Sequence, residues 1–163
     1  MRFNRQRLIF GLYLIVLIAV AELLLDYLKL PGWPAFVALV LFFIEHMDVR
    51  KVPNILVGAA VGIAFIILAP YGIGLLAHLL GAQWGQLTYI LLVIYAIVAF
   101  GEMLPLLFNN HAFMFLTVAA LALEGPKPAP WLWMAMAVIG GGILIGGVLL
   151  IIRIMRGRHA SVQ

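Results

Sequence analysis

Side chains able to do chemistry are rare in this chain, and the densest group is the run Asn109, Asn110 and His111. The run lies near the start of a short apolar segment, residues 108–124. One interpretation is helix capping, because an Asn side chain accepts hydrogen bonds from free N–H groups at a helix start. We favour a solute site, since a buried helix N-terminus directs N–H groups and a positive dipole at its occupant. A neutral amide or a small anion would suit it, and His111 and His78 could add a pH response.

Two carboxylates, Glu22 and Glu102, lie towards the ends of predicted long apolar helices. An ionisable side chain inside a membrane span costs about 2.5–3.5 kcal/mol on insertion scales, which makes it a functional candidate. Each glutamate either reaches the headgroup region or lines a polar path that takes part in proton coupling. Both interpretations stay open for both residues.

A second short apolar segment, residues 33–45, begins with Trp-Pro-Ala-Phe. We place its Pro34 and Phe36 on the same solute path as Phe113 of the other short segment. Crossing a hydrocarbon core of about 30 Å takes roughly 20 apolar residues, and both segments are shorter. Irregular backbone survives in lipid only inside protein or against a watery cavity. We therefore expect both segments near the centre, surrounded by longer helices.

Charged residues follow that second segment and admit two interpretations. They form either a solvated loop with local ion pairs or a gate on the cytoplasmic side. A charged stretch between two apolar runs is most often solvated, which favours the loop. The residues concerned are Glu45, His46, Asp48, Arg50 and Lys51.

Several classes of chemistry are excluded by the residues present. The chain has no cysteine, which excludes disulfides, thiolate metal sites and cysteine nucleophiles. Its four histidines show no His-Glu-x-x-His or paired-ligand spacing, and its one serine, Ser161, lies in the tail. We therefore predict no enzyme, no metal site and no cofactor.

The composition predicts a membrane protein. Hydrophobic residues make up 66% of the 163 residues and charged residues 10%, more apolar surface than a soluble domain of this size can bury. The net charge of +4 could suggest nucleic acid. The basic residues flank apolar runs, however, where they act as topology signals and contact lipid headgroups. The expected partner is therefore a lipid bilayer, and no nucleic acid is expected.

The expected fold is all-α, a single transmembrane domain over residues 1–163 with about six membrane segments. Four long helices are predicted at residues 8–27, 53–69, 84–104 and 131–155, and the two short ones at residues 33–45 and 108–124. Pro70 and the glycines after it predict a break and an interfacial connecting helix, residues 70–83, and a basic tail covers residues 156–163. Small residues predict close helix packing at Gly58, Gly62, Gly140, Gly142 and Gly146.

The two halves of the chain resemble each other at a spacing of 77 positions. This spacing pairs Phe36 with Phe113 and Pro53 with Pro130. Because each half has three helices, the second would be inverted in the membrane, as in transporters whose site lies near the midplane at the repeat interface. Six helices of ordinary unequal length are the alternative. We predict the repeats at residues 8–69 and 84–155.

Lysines and arginines predict the orientation of the chain. With six passes and a cytoplasmic N-terminus, the outer side receives only Lys29 and Lys127. This asymmetry favours both termini in the cytoplasm, because cytoplasmic loops carry the excess of basic residues. The cytoplasmic side receives Arg2, Arg5, Arg7, Arg50, Lys51, Arg153, Arg156 and Arg158.

A Trp-Pro-Ala-Phe start to a short helix is followed here by Asn54, Leu56 and Gly58 in an Asn-x-Leu-x-Gly pattern. These residues lie in the runs LKLPGWPAFVALVLFFIEH and PNILVGAAVGIAF, and a later run reads LGAQWGQLTYILLVIYAIVAFGEMLPLLFNNHAFMFLTVAALA. Together the runs resemble the two three-helix halves of a family of small, uncharacterised bacterial inner-membrane proteins. The resemblance implies a plasma-membrane location and a suspected transport role, and it implies no catalytic residues.

Three functions fit the sequence to different degrees. The first is a small-solute transporter or channel with a midplane site between the two short helices. Its solute is a small polar molecule or ion, and we expect a homo-oligomer because 163 residues make a thin wall around a pore. The second is a non-transporting membrane subunit, or stabilising or lipid-binding partner, that docks through glycine-rich helix faces. A lipid-modifying enzyme is a distant third, because no convergent set of acids and histidines exists.

Overall fold

The computed structural model describes residues 5–125 and 129–160, and every regular element in that part of the chain is helical. A 3₁₀ turn (Val49–Lys51) precedes α3, and a π-helical turn (Met136–Gly140) joins α6 to α7. Of the residues used to predict orientation, Arg2 and Lys127 lie outside the described residues, as do the side chains of Arg5 and Arg158. The helices are α1 (Arg5–Tyr27), α2 (Trp33–Ile44), α3 (Val52–Leu80), α4 (Ala82–Ala99), α5 (Asn110–Ala122), α6 (Pro130–Ala135) and α7 (Gly141–Ala160).

Within the described residues, four helical stretches are long and apolar enough to cross a membrane, and two are shorter. The short helices α2 and α5 have 12 and 13 residues, which is about 20 Å of helix. They begin at Trp33 and Asn110, the same spacing of 77 positions that relates the two halves of the sequence. The prediction of two short apolar helices among longer ones is confirmed. The long stretches are Gln6–Tyr27, Val49–Leu80, Ala82–Ala99 and Pro130–Gly157.

The predicted break at Pro70 is wrong, because α3 continues through this proline to Leu80. A proline inside a helix removes one N–H donor, and its ring displaces the carbonyl one turn back. The carbonyl that loses its helical donor is that of Ile66, and the Tyr89 hydroxyl of α4 donates to the neighbouring Phe65 carbonyl at 2.6 Å. This bond joins α4 to α3 within two turns of Pro70 but does not replace the lost donor. Residues 70–80 are the last part of α3 and residues 82–83 begin α4, so no separate interfacial helix lies there.

Tyr89→Phe is expected to lower the free energy of unfolding by about 1 kcal/mol, the typical net contribution of one intramolecular hydrogen bond. The change removes only the hydroxyl that bonds the Phe65 carbonyl. Unfolding by SDS in mixed micelles measures the difference. Tyr95→Phe is the matched control, because Tyr95 lies on the same helix and is 70% exposed. Equal losses in the two variants would contradict a stabilising role for this bond.

The long helix predicted at residues 84–104 ends earlier than predicted. α4 stops at Ala99 instead of residue 104, and residues 100–109 run through a series of turns. Gly101 weakens a helix at this point, and Pro105 lacks the N–H that would continue the helical hydrogen bonds. Glu102 consequently lies on an exposed turn, outside the four long helices.

The helices pack in two groups, and each group combines helices from both halves of the sequence. α4 and α5, from the second half of the sequence, pack on α3 from the first half. α1 and α2, from the first half, pack on α7 and the π turn from the second half. Each short helix therefore lies against the long helix of the opposite half. The buried core includes Phe42, Ile55, Ile63, Phe115 and Ile145.

Glycines bring the backbones close at both of these contacts. A Cβ on Gly62 of α3 would meet the Leu116 nitrogen of α5 at 2.9 Å. A Cβ on Gly140 of the π turn would meet Ala35 Cβ of α2 at 3.1 Å. Small residues allow this close approach between membrane helices, where van der Waals packing drives association.

Two of the glycines predicted for packing do not make such contacts within the chain. Gly142 lies 3.7 Å from Leu56, an ordinary van der Waals distance for an added Cβ, and Gly146 has no described atom within 4 Å. The contact between α7 and α1 is made one residue later, where an added Cβ on Gly147 would lie 2.9 Å from Leu17. Gly146 instead lies on the outer face of α7, so its predicted helix packing is not made within the chain and stays a prediction for a partner.

Candidate functional site

Seven residues predicted for the solute path or the gate line one cavity of about 550 Å³, which we call the polar cavity. It lies where α2 and α4 end and where α3 and α5 begin. Helix ends concentrate polar side chains and backbone groups, which is why this part of an otherwise apolar chain is polar. The seven residues are Glu45, Lys51, Glu102, Asn109, Asn110, His111 and Phe113.

Glu45 and His111 join the two short helices across this cavity. Glu45 directly follows α2 and His111 lies in the first turn of α5, with Oε1 and Nε2 3.2 Å apart. His111 is 7% exposed. The Nε2–H of the imidazole donates to the Glu45 carboxylate.

Asn109 uses its whole side-chain amide to hold the wall of the cavity. Its Oδ1 accepts from the N–H groups of His111 and Ala112, both at 3.0 Å, which makes it the N-cap of α5. Its Nδ2 donates to the Asn54 carbonyl of α3 at 3.2 Å and to two carbonyls of the preceding turn at 3.0 and 3.1 Å. An amide has two lone pairs and two hydrogens to offer, and all are used. Asn109 is thus the N-cap of α5, the first of its two interpretations, and it also lines the polar cavity, so its part in binding a solute stays a prediction.

Gly58 leaves the space in which that hydrogen-bond network forms. A Cβ at Gly58 would meet Asn109 Oδ1 at 2.6 Å and the Ala112 nitrogen at 3.0 Å. Asn54 lies one turn earlier on α3 and supplies the carbonyl that Asn109 bonds. The Asn-x-Leu-x-Gly pattern at the start of α3 therefore forms part of the surface on which the start of α5 packs.

Three residues predicted for the solute path lie away from the polar cavity. Glu22 is on the exposed face of α1, Pro34 is fully buried, and Phe36 packs against the buried core. The Glu45–His111 contact lies just beyond the C-terminal end of α2, whereas Phe36 lies in the first turn of that helix. Phe36 and Phe113 are therefore not brought together, and the polar site lies at one end of the short helices instead of midway between them.

The predicted gate residues divide among three environments. Glu45 and Lys51 line the polar cavity. His46 lines a separate pocket of about 540 Å³ that also includes Arg7 and Arg156. Asp48 caps the 3₁₀ turn, because its carboxylate accepts from the Arg50 N–H at 2.9 Å. Of this charged segment, only Glu45 and Lys51 face the cavity.

A second cavity, which the sequence analysis missed, lies between α4 and α5 with α3 as its floor. Its volume is about 570 Å³, and we call it the apolar cleft because its walls are mostly aliphatic. The Thr117 hydroxyl donates to the Phe113 carbonyl at 2.9 Å, and the Tyr89 hydroxyl is bonded as described above. Gln86 and Glu124 are the other polar side chains in its lining. The sequence could not reveal this cleft, because apolar residues at helical spacing form the same pattern whether they line a cleft or face a core.

The polar cavity and the apolar cleft share two lining residues, Ile94 of α4 and Phe113 of α5. α4 and α5 barely touch each other, because each packs mainly on α3. The shared residues therefore lie where one continuous furrow between the two helices divides into a polar part and an apolar part. Phe113 is 43% exposed, so its ring is not held by the core.

Metal ligation finds no support in the described residues. Over residues 5–125 and 129–160, no three His, Asp or Glu side chains group closely enough to hold a metal ion. The one close acid–imidazole contact, Glu45 with His111, is a hydrogen-bonded pair.

Comparison with curated proteins and with solved structures gave no match. One family profile does match, over residues 11–151, a range that contains α2 to α6 and every residue lining the polar cavity and the apolar cleft. The matched range is most of the chain. The chain therefore belongs to the family described as Protein of unknown function (DUF1097).

Proposed function

We propose that the protein is a small-solute transporter or channel whose route follows the furrow between α4 and α5. The observation that carries the proposal is that the polar cavity and the apolar cleft adjoin at Ile94 and Phe113. Two cavities of about 550 and 570 Å³ are each large enough for a small organic solute. The proposed route begins at Glu45, Lys51 and Glu102 and ends near Glu124.

The membrane setting of this proposal is a bacterial inner membrane that the chain crosses about six times, with both termini in the cytoplasm. Four long apolar stretches and two short apolar helices support this layout. The polar cavity then opens on the cytoplasmic side, because it lies at the end of α3 that carries Arg50 and Lys51. Glu124 and the start of α6 lie at the outer end.

An inverted repeat is part of the same proposal. It is supported by the exchange in which each short helix packs on the long helix of the opposite half, and by the spacing of 77 positions between the starts of α2 and α5. Transporters built from inverted repeats use short or broken helices at the interface between the repeats. In this protein the second half contributes α4 and α5, which line most of the route.

Phe113 is the proposed constriction. Its ring lies at the junction of the two cavities and, at 43% exposure, is free to change rotamer. Apolar constrictions gate channels by excluding water, and rotation of one large ring is enough to open or close a narrow passage.

Phe113→Ala is expected to raise the flux of urea or glycerol into proteoliposomes, measured by stopped-flow swelling, because it widens the junction. Met114→Ala is the matched control, since Met114 is the next residue on the same helix, has a similar exposure of 42%, and lines neither cavity. Its flux is expected to equal that of the unchanged protein. Equal flux in the two variants, or no flux above empty liposomes in any of them, would refute the proposed route.

A second candidate function is a non-transporting membrane subunit, and the outer face of α7 favours it. Gly146 lies open there beside Ile143, which is 68% exposed, and Leu150, which is 58% exposed. Small residues among large apolar ones are typical of helix docking in membranes. The same face is available for the homo-oligomer that we propose. Loss of assembly in Gly146→Leu, measured by light scattering in detergent, would identify this face as the contact.

A further inference from the structure

We infer that the furrow between α4 and α5 accepts monovalent organic cations, meaning amines or quaternary ammonium compounds with an apolar body. The inference rests on the proposed function, because it names the class of solute for the same route. It replaces the amide or anion that the sequence suggested for this site.

The charges lining the two cavities carry the first part of the argument. Glu45, Glu102 and Glu124 line them, and among the residues that the structure describes Lys51 is the one lysine or arginine that does. The whole chain has 10 Lys and Arg against 6 Asp and Glu. The lining thus has the opposite sign to the protein as a whole. A furrow lined by negative charge and walled by apolar side chains raises the local concentration of cations and repels anions.

The start of α5 does not offer an anion site. Asn109 Oδ1 already accepts from the N–H groups of His111 and Ala112 at 3.0 Å. An anion placed at this helix start would have to displace that cap, and it would face the carboxylates of Glu45 and Glu102 in the same cavity. The N–H groups at this helix start, for which the sequence suggested an anion, are therefore already bonded by the protein itself.

The apolar stretch between the acidic ends selects among cations. Glu45 and Glu102 lie at the start of α5 and Glu124 lies just beyond its end, with about 20 Å of helix between them. An inorganic cation loses its hydration shell in such a stretch without compensation. A cation with an apolar body loses less, and it gains contact with the aliphatic walls of the cleft. The Phe113 ring at the junction can also attract an ammonium group through its π face.

Binding of radiolabelled benzyltrimethylammonium to the purified chain in a neutral detergent, measured by equilibrium dialysis, tests the inference. Saturable binding is expected, with tetramethylammonium competing more weakly and with sodium and benzoate not competing at equal concentration. Glu124→Gln is expected to weaken binding by up to about fivefold, as for one partly exposed charge contact. Phe113→Leu is expected to weaken it as well.

Glu22→Gln is the matched control, because Glu22 is an exposed glutamate on α1 that lines neither cavity. It is expected to bind benzyltrimethylammonium as the unchanged protein does. Absence of saturable binding, competition by benzoate, or an equal loss in Glu22→Gln and Glu124→Gln would overturn the inference. Each of these outcomes is independent of whether Glu124→Gln transports anything.

Proteoliposome flux separates this inference from the proposed function. Swelling with urea or glycerol in a protein that does not bind benzyltrimethylammonium would refute the organic-cation class and leave the route in place. Saturable cation binding without uptake of any solute would refute transport and leave the ligand class in place. Uptake of benzyltrimethylammonium that depends on Glu124 supports both.

Discussion

Asn109→Leu is expected to lower the free energy of unfolding by about 2–4 kcal/mol. About 1 kcal/mol of this is the lost N-cap of α5. The remainder comes from the Asn54 carbonyl of α3 and two carbonyls of the turn before α5, which lose their donor. Leucine has a similar size but offers neither donor nor acceptor. SDS unfolding in mixed micelles, followed by tryptophan fluorescence, measures the loss.

Two further variants identify the cause of that loss. Asn109→Asp keeps an oxygen acceptor for the N–H groups of α5 but removes the donor to Asn54, so an intermediate loss is expected. Asn110→Leu alters the adjacent amide, which is exposed in the same cavity, and should change stability by less than about 0.5 kcal/mol. If Asn109→Leu were no worse than Asn110→Leu, the cap would not anchor α5.

Gly62→Ala is expected to destabilise the protein by about 1–3 kcal/mol through overpacking. The added Cβ would meet the Leu116 nitrogen at 2.9 Å, Phe115 Cβ at 3.0 Å and the Ala112 carbonyl oxygen. Most of these atoms belong to the backbone of α5, so no rotamer change relieves the clash and the helix itself has to move. The same SDS titration measures the effect.

The matched control for Gly62→Ala is not expected to lower the stability of the protein. Gly74→Ala adds the same methyl group to the same helix, α3, but no described atom lies within 4 Å of it. Alanine is a better helix former than glycine by about 1 kcal/mol, so a small gain or no change is expected. Losses of equal size at both positions would show that the close contact between α3 and α5 does not limit stability.

The two largest expected effects concern the same contact, the packing of α5 on α3. Asn109 fixes the start of α5 through hydrogen bonds, and the missing side chain at Gly62 lets the next turns of α5 pack closely on α3. The polar cavity and the apolar cleft both depend on this packing, because α5 forms one wall of each. A variant that moves α5 is therefore expected to change flux and cation binding together, whereas Phe113 and Glu124 variants change them without unfolding the chain.

Features determined by neighbouring residues could be predicted from the sequence. The shortness of α2 and α5 could be predicted, because the expected segments at residues 33–45 and 108–124 contain helices of 12 and 13 residues. Their starts follow from local signals, a Trp-Pro pair for α2 and Asn109 for α5. The helix cap at Asn109 is one of the two interpretations that its residue type and position allow. The all-helical, strongly apolar character of the chain follows from composition alone.

Features that depend on a distant partner were decided by the tertiary structure. α3 continues through Pro70 with α4 and α5 packed along it, an environment that the local sequence does not show. The amide of Asn109 also bonds the Asn54 carbonyl of α3, a partner 55 positions earlier in the sequence that no local signal identifies. The apolar cleft exists because α4 and α5 both pack on α3 and leave a space between them. Helical periodicity shows which residues share a face, but the partner of that face, and any gap beside it, is set by how separate helices fit together.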